Sequence, residues 1–140
     1  MNGIFNMDSK DQIQDDRGSG LLFENETHTI LQFCFQITNT LGHGFREKTY
    51  ENALVHLLEK NNIPHLQQPR YSVIFDEVKI DEFIPDLIIY NNIIVDLKTI
   101  ESITENEIGQ MLNYLRVTKL KLALIINFKH ARLQYRRVSL

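Results

Sequence analysis

Apolar residues recur at helical spacing in three parts of the chain. The first helix begins near Asn25, and its apolar stripe comprises Ile30, Phe33, Cys34, Ile37 and Leu41. The second ends at Pro64, and its stripe comprises Tyr50, Ala53, Leu54, Leu57 and Leu58. Thr104 and Glu107 form a capping box, which predicts that a third helix begins there. Its stripe comprises Ile108, Met111, Leu112 and Leu115. Spacing of this kind predicts that each helix packs one face on a core.

Between the second and third helices the apolar pattern changes to that of β-strands. Residues 71–75 and 78–84 alternate on either side of an expected turn at Asp76-Glu77. Residues 87–90 and 93–95 flank the turn pair Asn91-Asn92 and predict a hairpin that is apolar on both faces. Residues 120–128 predict a buried strand, and 132–138 a more polar edge strand. We therefore expect an α/β or α+β fold of order ααβββαββ, with a central mixed sheet flanked by helices.

The composition is that of one globular domain. The chain has 140 residues, 43% of them apolar, and a domain of this length buries about two-thirds of its unfolded surface. Residues 1–22 are polar and rich in small residues, so we expect a flexible N-terminal arm and a single domain over 23–140. The lone Cys34 excludes an internal disulfide, and its place on a helical stripe favours a core role. With neither a signal peptide nor an apolar run of about 20 residues, we expect a cytoplasmic protein without membrane attachment.

The net charge of −3 conceals a basic C-terminal region. From Ile108 onward no acidic residue occurs. The basic residues there are Arg116, Lys119, Lys121, Lys129, Arg132, Arg136 and Arg137. A block of one sign can form a phosphate-binding face, or it can be an ordinary solvated surface. The overall acidic charge is therefore no argument against a nucleic-acid partner.

Charged residues inside the most apolar hairpin are the clearest indication of chemistry. Pro85-Asp86 lies on its first strand and Asp96-Leu97-Lys98 on its second. Burying ions there costs several kcal/mol unless they are paired or bind a metal. Asp96 and Lys98 share a face, since they are two residues apart on a strand. Two carboxylates beside an ammonium suit Mg²⁺ or Mn²⁺, which prefer oxygen ligands; the alternative is a structural salt bridge between Lys98 and either aspartate.

The register of the hairpin decides whether the two aspartates can meet. If Asn91-Asn92 forms a two-residue turn, Asp86 stands opposite Leu97 and on the other face from Asp96. A metal site therefore requires a loop of odd length or a β-bulge between the aspartates, for example one that sets Asp86 opposite Lys98.

Three motifs, in this order along the chain, resemble those of a known group of nucleases. Gly44-x-x-Glu47-x-x-Tyr50 is similar to the motif that names the GxxExxY protein family. Pro85-Asp86, nine intervening residues and Asp96-x-Lys98 resemble the PD-(D/E)xK motif of the restriction-endonuclease-like nucleases. Gln110-x-x-x-Tyr114 resembles the Q-xxx-Y element of the RecB-like branch of that superfamily. The resemblance covers about residues 30–138 and implies a restriction-endonuclease-like core.

The resemblance also implies roles for individual residues. Glu47, Asp86 and Asp96 match the acidic residues that hold the divalent metal, and Lys98 matches the catalytic lysine. Many relatives carry a glutamate in place of Asp96, so the shorter side chain would draw the metal towards the strand. The alternative for Glu47 is a favourable interaction with the dipole of its helix.

Two further residues share the face of the third helix. Gln110 and Tyr114 are four residues apart, and their counterparts in the resemblance orient the substrate or the lysine. Tyr114 has packing on the helix face as an equally good explanation. Tyr50 lies on the apolar stripe of its helix, so we expect it to pack rather than react.

Together these features predict a metal-dependent nuclease that hydrolyses DNA phosphodiester bonds with Mg²⁺ or Mn²⁺. DNA is expected rather than RNA only because of the resemblance. The basic C-terminal region would contact phosphates, and a homodimer or a recruiting protein would supply substrate choice, because 140 residues leave little room for a specificity domain. The alternative is a catalytically silent nuclease-fold module that binds nucleic acid or a protein partner.

Overall fold

Helices pack on both faces of one mixed β-sheet. The computed structural model describes residues 22–140, so the predicted N-terminal arm lies outside the described residues apart from Leu22. The helices among these residues are α1 (Glu24–Leu41), α2 (Glu47–Lys60) and α3 (Glu105–Thr118). The strands are β1 (His65–Gln67), β2 (Tyr71–Phe75), β3 (Val78–Phe83), β4 (Leu87–Ile89), β5 (Ile93–Lys98), β6 (Leu122–Asn127) and β7 (Gln134–Val138). The predicted class, a central mixed sheet flanked by helices, is confirmed.

The main sheet has five strands in the order β1-β4-β5-β6-β7. β5 and β6 are parallel and the other neighbours are antiparallel. Parallel neighbours need a long crossover, and α3 supplies it between β5 and β6. The crossover brings the carboxyl ends of β5 and β6 to the same edge of the sheet. β2 and β3 form a separate two-stranded hairpin.

The two faces of the sheet bury different residues because side chains alternate along a strand. On one face Leu87, Val95 and Leu97 pack against α1 and α2. On the other face Ile88 and Ile94 pack against Met111 and Leu115 of α3. The central strands β5 and β6 are buried over nearly all of their length, as their apolar sequence predicts.

The observed element order is ααβββββαββ rather than ααβββαββ. The two arms of the hairpin over 87–98 are separate strands, so the predicted order undercounted them. The short strand β1 has no alternating pattern to reveal it, because two of its three residues are exposed. It is an edge strand that forms by pairing with β4.

The helix ends follow the sequence signals. Gly42 and Gly44 adopt φ angles of 79° and 101°, which favour glycine, and the Gly42 amide donates to the Thr38 carbonyl at the end of α1. At the start of α3 the Thr104 amide donates to Glu107 at 2.6 Å, and the Thr104 hydroxyl accepts from the Asn106 amide. The hydrogen bonds from Thr104 also lower the pKa of Glu107. The predicted capping box is thus confirmed.

The cysteine has the structural role that its position predicts. Cys34 is fully buried in α1 among core residues. Burial raises the pKa of its thiol far above the ordinary value, so the group stays protonated. Cys34 is therefore a small core residue rather than a nucleophile.

The β2–β3 hairpin departs from the usual burial of apolar residues. Ile74, Phe75, Val78 and Ile80 are each at least 59% exposed. The hairpin contacts the rest of the domain mainly through Tyr71 and Phe83, which join the core beside α3. Within residues 22–140, no helix has the length and apolarity needed to cross a bilayer.

Tyr50 should contribute to stability through its hydroxyl. The hydroxyl donates to the Gly42 carbonyl at 2.8 Å and accepts from the Phe45 amide at 3.2 Å, while the ring stacks on Phe128. Tyr50→Phe removes the hydroxyl that both backbone groups bind, so we expect a loss of about 1–3 kcal/mol in the free energy of unfolding, measured by urea denaturation. Tyr71→Phe is the control, because its hydroxyl makes no such contacts among residues 22–140. Equal stability of the two variants would contradict this role.

Candidate active site

The loop between β4 and β5 sets the two aspartates on one face. Leu87 pairs with Val95 and Ile89 with Ile93, so the loop contains three residues, 90–92, rather than the two predicted. Continuing this register by one residue places Asp86 opposite Asp96, not opposite Lys98. The loop of odd length therefore meets the condition for a shared site.

Contacts outside the hairpin explain why the loop has three residues. Tyr90 and Asn91 both adopt left-handed backbone conformations, with φ of 59° and 61°. The Tyr90 amide donates to the Pro64 carbonyl at 2.9 Å, and its ring packs against the core beneath α1 and α2. The Asn92 side chain donates to the Tyr90 carbonyl. A two-residue turn would break these contacts and reverse the faces of the whole strand.

Asp86 and Asp96 form the centre of the site. Asp86 Oδ2 accepts a hydrogen bond from the Leu97 amide at 2.8 Å, and the two carboxyl groups are within hydrogen-bonding reach of each other. Asp96 is only 7% exposed. Lys98 Nζ lies 3.1 Å from Asp96 Oδ2, but this buried oxygen receives no hydrogen bond of good geometry from residues 22–140. The contact is an ion pair that leaves the oxygen only partly satisfied.

The titration behaviour of the pair follows from burial and repulsion. Burial, reinforced by the charge of Asp96, raises the pKa of Asp86 to about 7. Burial also raises the pKa of Asp96, and the interaction with Lys98 only partly opposes this effect. Asp86 therefore holds a proton at a pH where isolated carboxyl groups are ionised.

Lys98 remains charged despite its partial burial. Desolvation lowers its pKa, but the negative charges of Asp96, Glu47 and Asp86 raise it by more. The net pKa lies above the ordinary value. Lys98 is therefore an ammonium at neutral pH and acts as a positive charge rather than as a base.

Glu47 lies at the start of α2, at the carboxyl end of β5. Its Oε2 accepts hydrogen bonds from the Thr99 amide at 3.0 Å and from the Thr99 hydroxyl at 3.3 Å. Its charge acts on both Asp96 and Lys98. The structure thus places Glu47 beside the site, with its carboxylate already bound to Thr99.

Glu51 is a buried acid that the sequence analysis missed. It is 3% exposed, one turn after Glu47, and its charge helps to raise the pKa of Asp86. Glu51 Oε2 accepts from Gln67 at 2.6 Å and Gln68 at 3.3 Å. A further contact is the ion pair with Lys48 at 3.2 Å. Its spacing to Leu54 and Leu58 puts it on the core stripe of α2. A charged residue on that apolar stripe is the sequence feature that could have identified it.

Tyr114 interacts with the two aspartates, whereas Gln110 is exposed to solvent. Tyr114 is half-buried, and its ring stacks on Phe83 with the centroids 3.6 Å apart. Burial and then the charge of Asp96 raise the pKa of Tyr114, which places its hydroxyl within electrostatic range of the pair. Gln110 is exposed on the preceding turn. Tyr114 therefore both packs and approaches the site.

The basic C-terminal region does not form one face. Arg137 is 5% exposed, and its guanidinium donates to the Leu22 carbonyl and the Thr27 hydroxyl, so it links β7 to the start of α1. Lys119 and Lys121 precede β6, at the edge opposite the site. Lys129 and Arg132 follow β6 and lie at the same edge as Lys98. The predicted contact with phosphates is therefore wrong for Arg137. Of the other basic residues, Lys119 and Lys121 lie at one edge of the sheet, and Lys129 and Arg132 lie at the opposite edge.

The donor set fits a divalent cation in part. Among residues 22–140, no three aspartate, glutamate, histidine or cysteine side chains converge as a ready-made cluster. The Asp86–Asp96 pair nevertheless offers hard oxygen ligands, a proton that a cation can replace and a buried oxygen that receives no hydrogen bond from residues 22–140. Two carboxylates are therefore suitably placed, and a third ligand would have to come from a neighbour such as Glu47.

Asp86→Asn should change the pH dependence of stability. The raised pKa of Asp86 means that, as the pH rises from about 4 to about 7, the unfolded chain loses this proton while the folded chain keeps it. Stability falls over that window. Asparagine has no proton to lose and can still accept from the Leu97 amide. In EDTA we expect the variant to match the wild type at pH 4 and to be more stable at pH 8, as measured by urea unfolding.

The exposed Asp81 provides the control for this measurement. Asp81→Asn should change stability by the same amount at both pH values. If Asp86→Asn behaved in this way too, the assigned burial and repulsion at Asp86 would be wrong.

Comparisons with known proteins agree with this geometry. A family model of the PD-(D/E)XK nuclease superfamily matches residues 24–138, a span that contains every site residue named above. Searches of curated proteins and of solved structures find no significant match. The GxxExxY family and the RecB-like branch stay predictions, because the matching family model identifies the superfamily alone. The chain belongs to the PD-(D/E)XK nuclease superfamily.

Proposed function

We propose that this protein is a metal-dependent nuclease that hydrolyses DNA phosphodiester bonds. The observation that carries the proposal is Asp86 facing Asp96 beside the ammonium of Lys98. A structural salt bridge accounts for one carboxylate and the lysine. It leaves the half-buried Asp86 without a cation among residues 22–140, and a divalent metal would neutralise this carboxylate once its proton has left.

Asp86 and Asp96, joined by Glu47, are the residues that would hold Mg²⁺ or Mn²⁺. Their donors are all oxygen atoms, which suits these ions better than Zn²⁺. When bound, such an ion supplies positive charge to the scissile phosphate and makes a nearby water more acidic. The proton of Asp86 would leave as the cation binds.

The remaining residues act on the substrate. Lys98, held as an ammonium, stabilises the negative charge that develops on the phosphate. The raised pKa of Tyr114 keeps its hydroxyl neutral and able to donate a hydrogen bond. Gln110, exposed on the same helix, would orient the substrate from the preceding turn.

Substrate binding would involve the basic residues at the edge of the sheet that carries the site. Lys129 and Arg132 are exposed there and would contact backbone phosphates beside the cleaved bond. The preference for DNA over RNA is taken from the superfamily. A homodimer or a recruiting protein would supply further substrate choice.

The second candidate function is a catalytically silent nuclease-fold module that binds nucleic acid or a protein partner. The observation in its favour is Glu47, whose carboxylate is already bound to Thr99 rather than to the aspartate pair. Such a module would bind without metal and would not cleave.

Lys98→Ala should abolish cleavage. With Mn²⁺ present we expect the wild type to cut DNA oligonucleotides and the variant to be slower by at least about a hundredfold, since the loss of one charge-stabilising donor has this magnitude. Gel electrophoresis of end-labelled products provides the measurement. Lys60→Ala, at the far end of α2, is the matched control and should retain full activity. A wild type that binds DNA but never cleaves it would favour the silent module.

Divalent metal should stabilise the wild type through Asp96. At a concentration one hundred times the dissociation constant, Mn²⁺ should add about 2.7 kcal/mol to the free energy of unfolding. Asp96→Asn preserves the shape of the side chain but removes a ligand, so its melting temperature should not respond to Mn²⁺. Equal responses in the two proteins, or none in either, would remove the metal site from the mechanism.

A further inference from the structure

A second concave surface adjoins the proposed catalytic residues. It is a cavity of about 670 Å³ between the β2–β3 hairpin and α3. The hairpin contributes Val73, Asp81 and Phe83 to one wall, and α3 contributes Asn113, Tyr114 and Arg116 to the other. Its volume is within the range of small-molecule sites.

Aromatic rings give the cavity one of its surfaces. Tyr71, Phe83 and Tyr114 form a continuous stack, with centroid distances of 5.6 Å and 3.6 Å between successive rings. Tyr114 ends the stack, is only half-buried and lines the cavity together with Phe83. Planar nucleobases bind to such aromatic platforms because every base presents a flat π-face.

Tyr114 also connects the cavity with the proposed catalytic pair. The charges of Asp96 and Asp86 on one side, and of Asp81 on the cavity wall, all act on its hydroxyl. A group held in the cavity would therefore be adjacent to the phosphate that lies at Asp96 and Lys98.

The charges on the two walls differ in a way that would orient a nucleotide. On the hairpin, Glu82 is already paired with Arg70 at 2.9 Å and Lys79 at 3.4 Å, and Asp81 accepts from the Glu82 amide. These carboxylates repel phosphate but can accept hydrogen bonds from base amino groups. On α3, Arg116 donates to Asn113 at 2.9 Å and presents a guanidinium to the same space. The base would face the hairpin and the phosphate would face the helix.

We propose that this cavity receives one unpaired nucleobase next to the scissile phosphate, so that the substrate class is single-stranded or locally unpaired DNA. The inference rests on the proposed function and adds the choice of substrate. A base in a duplex is stacked on both sides and must break its stacking and pairing to turn out of the helix and enter a cavity. Unpaired DNA avoids that cost.

Cleavage of matched oligonucleotides by the wild-type protein tests the proposal. With Mn²⁺ we expect a single-stranded 30-mer to be cut at least about tenfold faster than the same sequence in a duplex. Replacing single nucleotides by abasic residues should slow cleavage at one fixed distance from the cut by about tenfold to a hundredfold, and little elsewhere. Equal rates on single strands and duplexes, or uniform abasic effects, would overturn it.

A cavity-filling variant provides an independent test. Val73→Trp would occupy the cavity, whereas Ile74→Trp places the same ring on the opposite face of β2, where Ile74 is 59% exposed. After thermal melts verify folding, the anisotropy of a labelled single-stranded oligonucleotide measures binding in EDTA. We expect Val73→Trp to weaken binding by about tenfold and Ile74→Trp to leave it unchanged. Equal effects would contradict the assignment.

The two proposals fail in different ways. If the protein binds single strands in EDTA, binds them more weakly after Val73→Trp and never cleaves, the proposed nuclease activity is wrong but the proposed base-binding cavity stands. If the protein cleaves single strands and duplexes equally, the proposed nuclease activity stands but the proposed base-binding cavity is wrong. If Val73→Trp does not fold, wild-type binding to the oligonucleotide and to its fully abasic counterpart decides the question, and equal affinities overturn the proposal.

Discussion

The carboxyl groups of Asp86 and Asp96 meet where β4 joins β5, with the ammonium of Lys98 beside them, and much of the surrounding structure serves to hold them there. The loop of residues 90–92 sets the register, the Leu97 amide binds Asp86, and the ammonium of Lys98 offsets part of the charge. Burying like charges side by side is unfavourable. A scaffold of β-strands buried on both faces is rigid enough to impose this arrangement, because slipping by one residue would turn every apolar side chain of the strand to the wrong layer.

Much of the fold could be predicted from the sequence because the relevant signals are local. The stripes of α1 and α2 and the capping box of α3 depend on residues three or four positions apart, and they are confirmed except at Leu41, which is exposed at the end of α1. The identity of the two aspartates and the lysine as a group also followed from charge within an apolar pattern. Whether the two aspartates meet depends also on whether the loop between them has an even or an odd number of residues. The Asn91-Asn92 pair favoured a loop of two residues, whereas the loop has three.

The features that escaped prediction depend on contacts between distant parts of the chain. The three-residue loop is determined by the hydrogen bond between the Tyr90 amide and the Pro64 carbonyl, which lie 26 positions apart along the chain. β1 exists only as a partner of β4, and Glu51 is buried because Gln67 and Gln68 reach it from that strand. The same reasoning explains the divided basic region. Charges that are neighbours in sequence separate once β6 carries the chain from one edge of the sheet to the other.

Arg137 joins the last strand to the beginning of the first helix, through the Leu22 carbonyl and the Thr27 hydroxyl. A ribosome synthesises Thr27 long before it reaches Arg137, so the nascent chain lacks this link until β7 has been made. β6 likewise pairs with β5 only after the whole crossover has been made. The domain should therefore acquire its native packing only once β7 has left the ribosome. A chain interrupted before β7 would present the proposed catalytic residues on an unfinished scaffold.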